Sequence, residues 1–113
     1  MCTKNQLDII TNSVASLAKD ILNDKLVSVI LYGSYARGDY DDESDIDIMI
    51  VADIPSEECW SYNVRLIDEL TDIELENEIV ISTHIVQADN FNKYRVALPF
   101  YRNVIEEGIK IAV

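Results

Sequence analysis

The stretch LYGSYARGDYDDESDIDIMI, residues 31–50, connects two apolar runs and is the most informative part of the chain. It contains six carboxylates, two glycines and one arginine. Its last two carboxylates, Asp45 and Asp47, alternate with isoleucines, as in a strand that has one buried face. Charged side chains are seldom buried unless they are paired or bind a metal ion. The alternation therefore favours a functional site over the competing interpretation, a solvated edge strand.

Length and composition indicate one domain that spans residues 1–113 and contains enough apolar residues, 49%, to form a core. No apolar run approaches the roughly 20 residues of a membrane span, and the N-terminus does not resemble a signal peptide. Cys2 and Cys59 form neither a disulfide framework nor a metal-binding spacing, so we expect reduced thiols in a cytoplasmic protein. The net charge of -12, with scattered basic residues, disfavours a nucleic-acid substrate. A metal ion or a basic protein partner fits this charge better.

The periodicity of apolar residues predicts alternating helices and strands without repeats or linkers. Thr3 and Gln6 form a plausible capping box at the start of the first helix. The first half of the chain is predicted to form a helix over 3–24, a strand over 26–32, a short helix over 34–38 and a strand over 44–52. The second half is predicted to form a helix that opens at Pro55 and Ser56, a strand over 78–86, a short turn, a helix from near Pro99 to Gly108, and an edge strand in the tail. This order predicts a single α/β or α+β domain, and we expect an α+β fold with a small mixed sheet flanked by helices.

Strand parity places the acidic residues on one side of the predicted sheet. Asp45 and Asp47 share a face with Met49 and Val51, whereas Ile46, Ile48 and Ile50 occupy the other face. In the strand over 78–86, Glu78 shares a face with Val80, Ser82 and His84. If the two strands are neighbours, the three carboxylates converge at one end of the sheet. A lone histidine within an apolar strand is typically packed and hydrogen-bonded, although His84 lies on the predicted site face.

Clustered carboxylates repel one another unless a cation neutralises them, and oxygen ligands suit Mg²⁺ or Mn²⁺. Two carboxylates at i and i+2 on a strand can hold a pair of ions for phosphoryl displacement. Gly33 and Ser34 stand where a strand meets a helix, a position that allows close approach to phosphate. Arg37 could contact a phosphate oxygen, or it could simply balance Asp39 and its neighbours.

Gly33-Ser34, ten residues and then Asp45-Ile46-Asp47 resemble the G-S-x10-D-x-D signature of the DNA polymerase β-like nucleotidyltransferases. The size and the segment PFYRNVIEEGIKI are similar to those of the minimal nucleotidyltransferases. The resemblance implies the polymerase β-like fold, with Gly33 and Ser34 holding ATP and Asp45 and Asp47 binding two Mg²⁺ ions. It also implies a third carboxylate that completes the site and activates the acceptor hydroxyl. Strand parity favours Glu78 for this role over the nearby Glu76.

Many minimal nucleotidyltransferases are the antitoxins of HEPN–MNT toxin–antitoxin pairs. The resemblance therefore implies transfer of AMP from ATP to a tyrosine of a HEPN toxin, within a hetero-oligomer of a type VII-like system. Two alternatives stay open: a non-enzymatic antitoxin that acts by binding alone, and a small-molecule nucleotidyltransferase of the aminoglycoside-modifying kind. The helical domain of the longer aminoglycoside-modifying relatives is missing here, which makes a protein acceptor the expectation.

Overall fold

Strand β1, Leu26–Tyr32, lies inside a four-stranded sheet in the computed structural model, which describes residues 3–111. The other strands are β2 (Ile46–Ala52), β3 (Ile81–Gln87) and β4 (Ile109–Ile111), and their order across the sheet is β3-β2-β1-β4. β1 pairs antiparallel with β2 and β4, whereas β2 and β3 are parallel. The predicted mixed sheet and the predicted edge strand of the tail are confirmed. Cys2 and its predicted reduced state lie outside the described residues.

Five helices connect and cover the strands: α1 (Lys4–Leu22), α2 (Ser34–Arg37), α3 (Ser56–Asn77), α4 (Ala88–Tyr94) and α5 (Pro99–Glu107). The capping box is confirmed, because Thr3 Oγ1 accepts from the Gln6 N–H and Gln6 Oε1 accepts from the Thr3 N–H. Helix α4 replaces the turn predicted after β3. Within residues 3–111, no helix is long and apolar enough to cross a membrane.

The isoleucine-rich face of the sheet carries the main core. Ile46, Ile48 and Ile50 are fully buried, and they pack with residues of α1 and α3. The opposite face carries a smaller cluster in which Met49 and Val51 meet Phe91 of α4 and Val104 of α5. Helices α4 and α5 therefore cover only part of this second face, and Asp47 lies beyond the end of that apolar cluster.

The buried face of α3 differs from the expectation that Trp60, Val64, Ile67 and Leu70 form the apolar face of this helix. Leu66 and Leu70 are buried, whereas Trp60, Val64 and Ile67 remain exposed. The physical reason is a second apolar row at helical spacing, Tyr62, Leu66, Leu70 and Ile73, which packs against the core.

A reciprocal hydrogen bond fixes the rotation of α3 about its axis. Asn63 Nδ2 donates to the Thr83 carbonyl of β3 at 3.1 Å, and the buried Thr83 hydroxyl donates to Asn63 Oδ1 at 2.9 Å. Because buried polar groups need partners, this pair favours the rotation in which Leu66 and Leu70 face the sheet.

The third strand begins later than predicted, at Ile81 rather than residue 78, so Glu78 does not belong to it. Glu78 caps the C-terminus of α3 in the left-handed region, with φ 52°, and its N–H donates to the Glu74 carbonyl. The Glu74 carboxylate accepts from the Ile81 N–H at 3.0 Å. These bonds satisfy the backbone between helix and strand, and the alternation of faces therefore does not extend back to Glu78.

Candidate active site

Gly33 joins β1 to α2 at the point where the backbone comes closest to Asp47. Its φ is +76°, in the left-handed region that favours glycine. A Cβ at this position would overlap Asp47 Oδ2 and would lie 3.2 Å from Asp47 Cγ. The register pairs Tyr32 with Asp47, so the strand pairing itself brings the carboxylate against the turn. Gly33 is therefore required by Asp47 as well as by the turn.

Asp47 is half-buried, and burial raises the pKa of its carboxyl, with a further contribution from the negative charge of Asp45. The positive charges of His84 and Arg37 act in the opposite direction on this pKa. Burial and the charge of Asp47 raise the pKa of the neighbouring Tyr32 to about 12. No residue in the described range donates a hydrogen bond to the Asp47 carboxylate. The site thus holds a partly desolvated carboxylate with little local compensation.

Arg37 is exposed at the end of α2 and is engaged by two carboxylates. Its Nε lies 3.1 Å from Asp39 Oδ2, and one terminal nitrogen lies 3.3 Å from Glu107 Oε2. Hydrogen bonds to Asp39 and Glu107 raise the pKa of this guanidinium. The charge-balancing interpretation of Arg37 therefore holds in this structure. Both ion pairs are solvent-exposed and individually weak, so a phosphate can compete for the guanidinium.

Strand β3 places Ser82 level with Asp47 and His84 level with Met49 on the site face, which confirms the predicted parity of these residues. Val86 follows on the same face, so this face of β3 carries no carboxylate. His84 is exposed rather than packed, and its charge acts on Asp47. The prediction of a packed histidine is therefore wrong, and the parallel register of β2 and β3 brings His84 towards the site.

Glu78 lies at the end of α3, outside the site face of β3. Together with Asp45 it lines a cavity of about 740 Å³ between the loop before β2 and the end of α3, which we call the acidic cavity. Its further acidic lining residues are Asp42, Glu43 and Glu74. A second cavity, of about 310 Å³, is lined by Tyr32, Gly33, Arg37, Phe100, Asn103, Val104 and Glu107, and we call it the Arg37 cavity. The aspartate pair and the Gly33 turn thus stand between an acidic and a partly basic cavity.

The aspartate pair fits a divalent cation by its chemistry. Asp45 and Asp47 repel each other, and Mg²⁺ is commonly held by one or two carboxylates together with substrate phosphates. Within residues 3–111, no three His, Cys, Asp or Glu side chains form a ready metal-binding group. The roles of Asp45, Asp47 and Glu78 as metal ligands therefore stay predictions.

Comparison with known proteins gives the class of the chain. The model of the nucleotidyltransferase domain family matches residues 14–111, so the chain belongs to this family. "Putative protein adenylyltransferase MJ0604" of Methanocaldococcus jannaschii is 43% identical over 84 residues, which cover 74% of this chain and 76% of the relative.

Two crystal structures of toxin–antitoxin pairs share the fold. A variant of the MntA–HpeT pair gives a TM-score of 0.54 at 21% identity and covers 88% of this chain and 70% of the matched chain. A toxin–antitoxin complex with AMP-PNP gives a TM-score of 0.55 at 23% identity, with the same coverage. At these identities the likeness establishes the nucleotidyltransferase fold, as the resemblance in sequence implied.

The contact between Gly33 and Asp47 predicts different effects for two glycine substitutions. Gly38→Ala places an alanine in the αL region, which costs about 1 to 2 kcal/mol, and Gly33→Ala places one at φ 76° and ψ -156°, a region nearly restricted to glycine that costs up to about 3 kcal/mol. Only Gly33→Ala also meets Asp47, because nothing lies within 4 Å of a Cβ at Gly38. We expect Gly33→Ala to weaken Mg²⁺-dependent ATP binding in calorimetry and Gly38→Ala to retain it. Equal losses of ATP affinity in the two variants would contradict the assigned role of Gly33.

The raised pKa of Asp47 predicts a pH-dependent gain in stability for Asp47→Asn. Between the ordinary value of 3.8 and the raised value, folding takes up a proton, so the wild-type free energy of unfolding falls as pH rises through this window. Asp47→Asn has no titrating carboxyl at this position, so its free energy of unfolding does not fall for this reason. It should therefore be more stable than wild type at neutral pH, and the difference should vanish below pH 3.8, as measured by urea unfolding.

An exposed carboxylate provides the control for this measurement. Asp20→Asn in α1 removes the same charge from the acidic chain far from any contact with Asp47. A gain at neutral pH that is as large for Asp20→Asn as for Asp47→Asn would show that net charge, and not burial, is the cause.

Proposed function

We propose that this nucleotidyltransferase transfers AMP from ATP to a hydroxyl group of a protein. The observation that carries the proposal is the close packing of the Asp47 carboxylate on the Gly33 turn, beside Asp45. This arrangement supports a site in which the Gly33 backbone would approach a phosphate and the two aspartates would bind a cation. In-line displacement at phosphorus requires these two features together.

The charges that line the two cavities support different ligands for them, ATP in the Arg37 cavity and the acceptor in the acidic cavity. A triphosphate carries several negative charges, so it is disfavoured among Asp42, Glu43 and Glu74 and is better tolerated in the Arg37 cavity, where Arg37 balances Glu107. Gly33 and Ser34 would hold the phosphates at the entrance of the Arg37 cavity, and Phe100 offers an exposed ring for the base. The acidic cavity is then left for the acceptor. Asp45 and Asp47 stand between the two reactants.

In the proposed step, the acceptor oxygen attacks the α-phosphorus of ATP. A bond forms between this oxygen and phosphorus, the bond from the α-phosphorus to the bridging oxygen breaks, and pyrophosphate leaves. Glu78, which lines the acidic cavity, takes the hydroxyl proton. The chemistry that a bound Mg²⁺ supplies is neutralisation of the charge that develops on the transferred phosphate. Asp45 and Asp47 would hold the ion, and Arg37 would leave Glu107 to contact the phosphates.

The acceptor that we propose is a tyrosine of a HEPN toxin, and the chain would act as the antitoxin in a cytoplasmic hetero-oligomer. The net charge of -12 suits docking on a basic ribonuclease. A relative that carries the name of a protein adenylyltransferase, and solved neighbours that are toxin–antitoxin pairs, support the same class of acceptor.

One observation favours a second candidate, an antitoxin that acts by binding alone. The site face of β3 carries Ser82 and His84 where the resemblance implies a carboxylate. If Glu78 does not serve the acceptor, the chain would bind metal and nucleotide but transfer poorly.

Asp47→Asn separates the enzyme from the binder. The substitution keeps size and shape but removes one cation-binding charge, and loss of such a contact in a transition state commonly costs about 2.7 to 4 kcal/mol. We expect the variant to bind a co-expressed HEPN toxin and to leave it unmodified. Intact-mass spectrometry of that co-expressed partner should show added AMP with wild type and none with Asp47→Asn.

Asp20→Asn is the matched control, and its partner should carry AMP as with wild type. An unmodified partner in all three cases, with toxicity still suppressed, would overturn the enzymatic mechanism and leave the binding-only antitoxin.

Glu78→Gln tests the acceptor side of the site, with Glu76→Gln as its control. The two glutamates are close in sequence, but only Glu78 lines the acidic cavity with Asp45. If Glu78 takes the hydroxyl proton, Glu78→Gln should slow pyrophosphate release by roughly 10²- to 10⁴-fold, while Glu76→Gln should have little effect. ATP binding should survive in both variants. A larger loss for Glu76→Gln would reverse the assignment.

A further inference from the structure

The exposed side of α3 carries an apolar row that no described residue covers. It consists of Trp60, Val64, Ile67 and Leu75, and we call it the α3 stripe. Trp60 is 75% exposed and Leu75 is 73% exposed. The spacing of these residues places them along one side of the helix over about 22 Å. An exposed apolar row of this length, interrupted by Thr71 between Ile67 and Leu75, is typical of an interaction site on the surface of a small domain.

The α3 stripe runs into the proposed active site. Leu75, at its C-terminal end, lines the acidic cavity together with the exposed Val80 and with Asp45. A partner that covers the stripe therefore reaches the cavity in which we place the acceptor. This continuity distinguishes the stripe from exposed apolar residues elsewhere, such as Val96 between α4 and α5.

Charges beside the α3 stripe define the chemistry of its occupant. Exposed acids adjoin the stripe at helical spacing: Glu57 lies three residues before Trp60, Asp68 four after Val64, and Asp72 four after Asp68. Arg65 is the one basic residue of α3. A second copy of this chain would bring like charges together, whereas a basic partner would be attracted.

We propose that the α3 stripe docks an amphipathic helix of the acceptor protein, with an apolar ridge flanked by lysines or arginines. Helices pack by ridges, and an apolar face of this kind commonly binds a helix in this way. The docked helix would direct the acceptor hydroxyl towards Asp45 through the acidic cavity. The inference rests on the proposed function for the identity of the partner, but not for the docking itself.

The probe for docking is a synthetic helical peptide of about 20 residues with a leucine ridge flanked by lysines. Trp60 is the one tryptophan of the chain, so its fluorescence reports directly on the stripe. Without ATP, the peptide should shift the Trp60 emission to the blue and protect the ring from acrylamide quenching. Salt should weaken the binding, and a peptide with glutamates in place of the lysines should not bind.

Val64→Asp tests the stripe, and Val96→Asp is the matched control because it makes the same change at another exposed valine. Val64→Asp should weaken peptide binding by roughly tenfold or more, and Val96→Asp should leave it unchanged. Equal binding of both peptides, or equal losses in both variants, would overturn the proposal. So would a wild-type dimer in sedimentation that Val64→Asp dissociates, since the occupant would then be a second copy.

These experiments can reject the docking surface and the transfer of AMP independently of each other. The peptide is bound without ATP and without an acceptor hydroxyl, so its binding is independent of catalysis. Loss of docking in Val64→Asp together with an unmodified partner for wild type would support the docking surface and overturn only the enzymatic function. An adenylylated partner for wild type and for Val64→Asp alike would support the enzyme and overturn the docking surface.

Discussion

The approach of the Asp47 carboxylate to the Gly33 backbone is the constraint on which the site depends. The antiparallel pairing of β1 with β2 sets Tyr32 opposite Asp47, so the residue after Tyr32 must turn away without a side chain. Only glycine meets both demands, because the position combines a positive φ with overlap at Cβ. The turn then starts α2 at Ser34. The turn that we propose to hold the phosphates and the proposed metal ligand Asp47 are therefore positioned by one contact between neighbouring strands.

The packing of Asp47 against the Gly33 turn costs free energy, and packing elsewhere in the fold offsets this cost. Asp47 is partly desolvated beside a second carboxylate, and its raised pKa reports that the charged form is disfavoured in the free protein. The fully buried isoleucines on the other face of β2 hold the strand in place despite this. A cation at the aspartates would convert the repulsion into binding energy. The partly desolvated Asp47 carboxylate, which is unfavourable in the free domain, would therefore be strongly stabilised by a bound cation.

Local patterns predicted most of the fold because they are set by near neighbours. The capping box at Thr3, the bounds of β1 and the alternation from Ile46 onward in β2 depend on residues a few positions apart and are confirmed, although Asp45 lies just before this strand. The rotation of α3 could not be predicted in this way. The row with Trp60 and the row with Leu66 have similar helical spacing, and only the hydrogen bonds between Asn63 and Thr83 distinguish them. Such a bond joins residues far apart in sequence.

In the site, too, residues that are close in sequence were predictable, whereas a residue from a distant segment was not. Gly33, Ser34, Asp45 and Asp47 lie within one short stretch, and their relative placement follows from two strands and a turn. The predicted position of Glu78 on the site face assumes that the alternation of β3 begins at residue 78. Glu78 is instead the left-handed cap of α3, so this alternation does not apply to it.

The surplus of acidic residues has a consistent interpretation at three scales. Within the site, Asp45 acts on Asp47 and creates the demand for a cation. Around the site, Asp42, Glu43 and Glu74 make one cavity unfavourable for a triphosphate, which supports the proposed separation of donor from acceptor. On the surface of α3, Glu57, Asp68 and Asp72 disfavour self-association of the apolar stripe while attracting a basic partner. Among these carboxylates, Asp47 is the one whose burial disfavours its charge in the isolated chain, and each of the three acidic groups would attract a different cationic ligand. A protein built in this way is most stable when ion, nucleotide and partner are all bound, which couples its folding to the complex in which it would act.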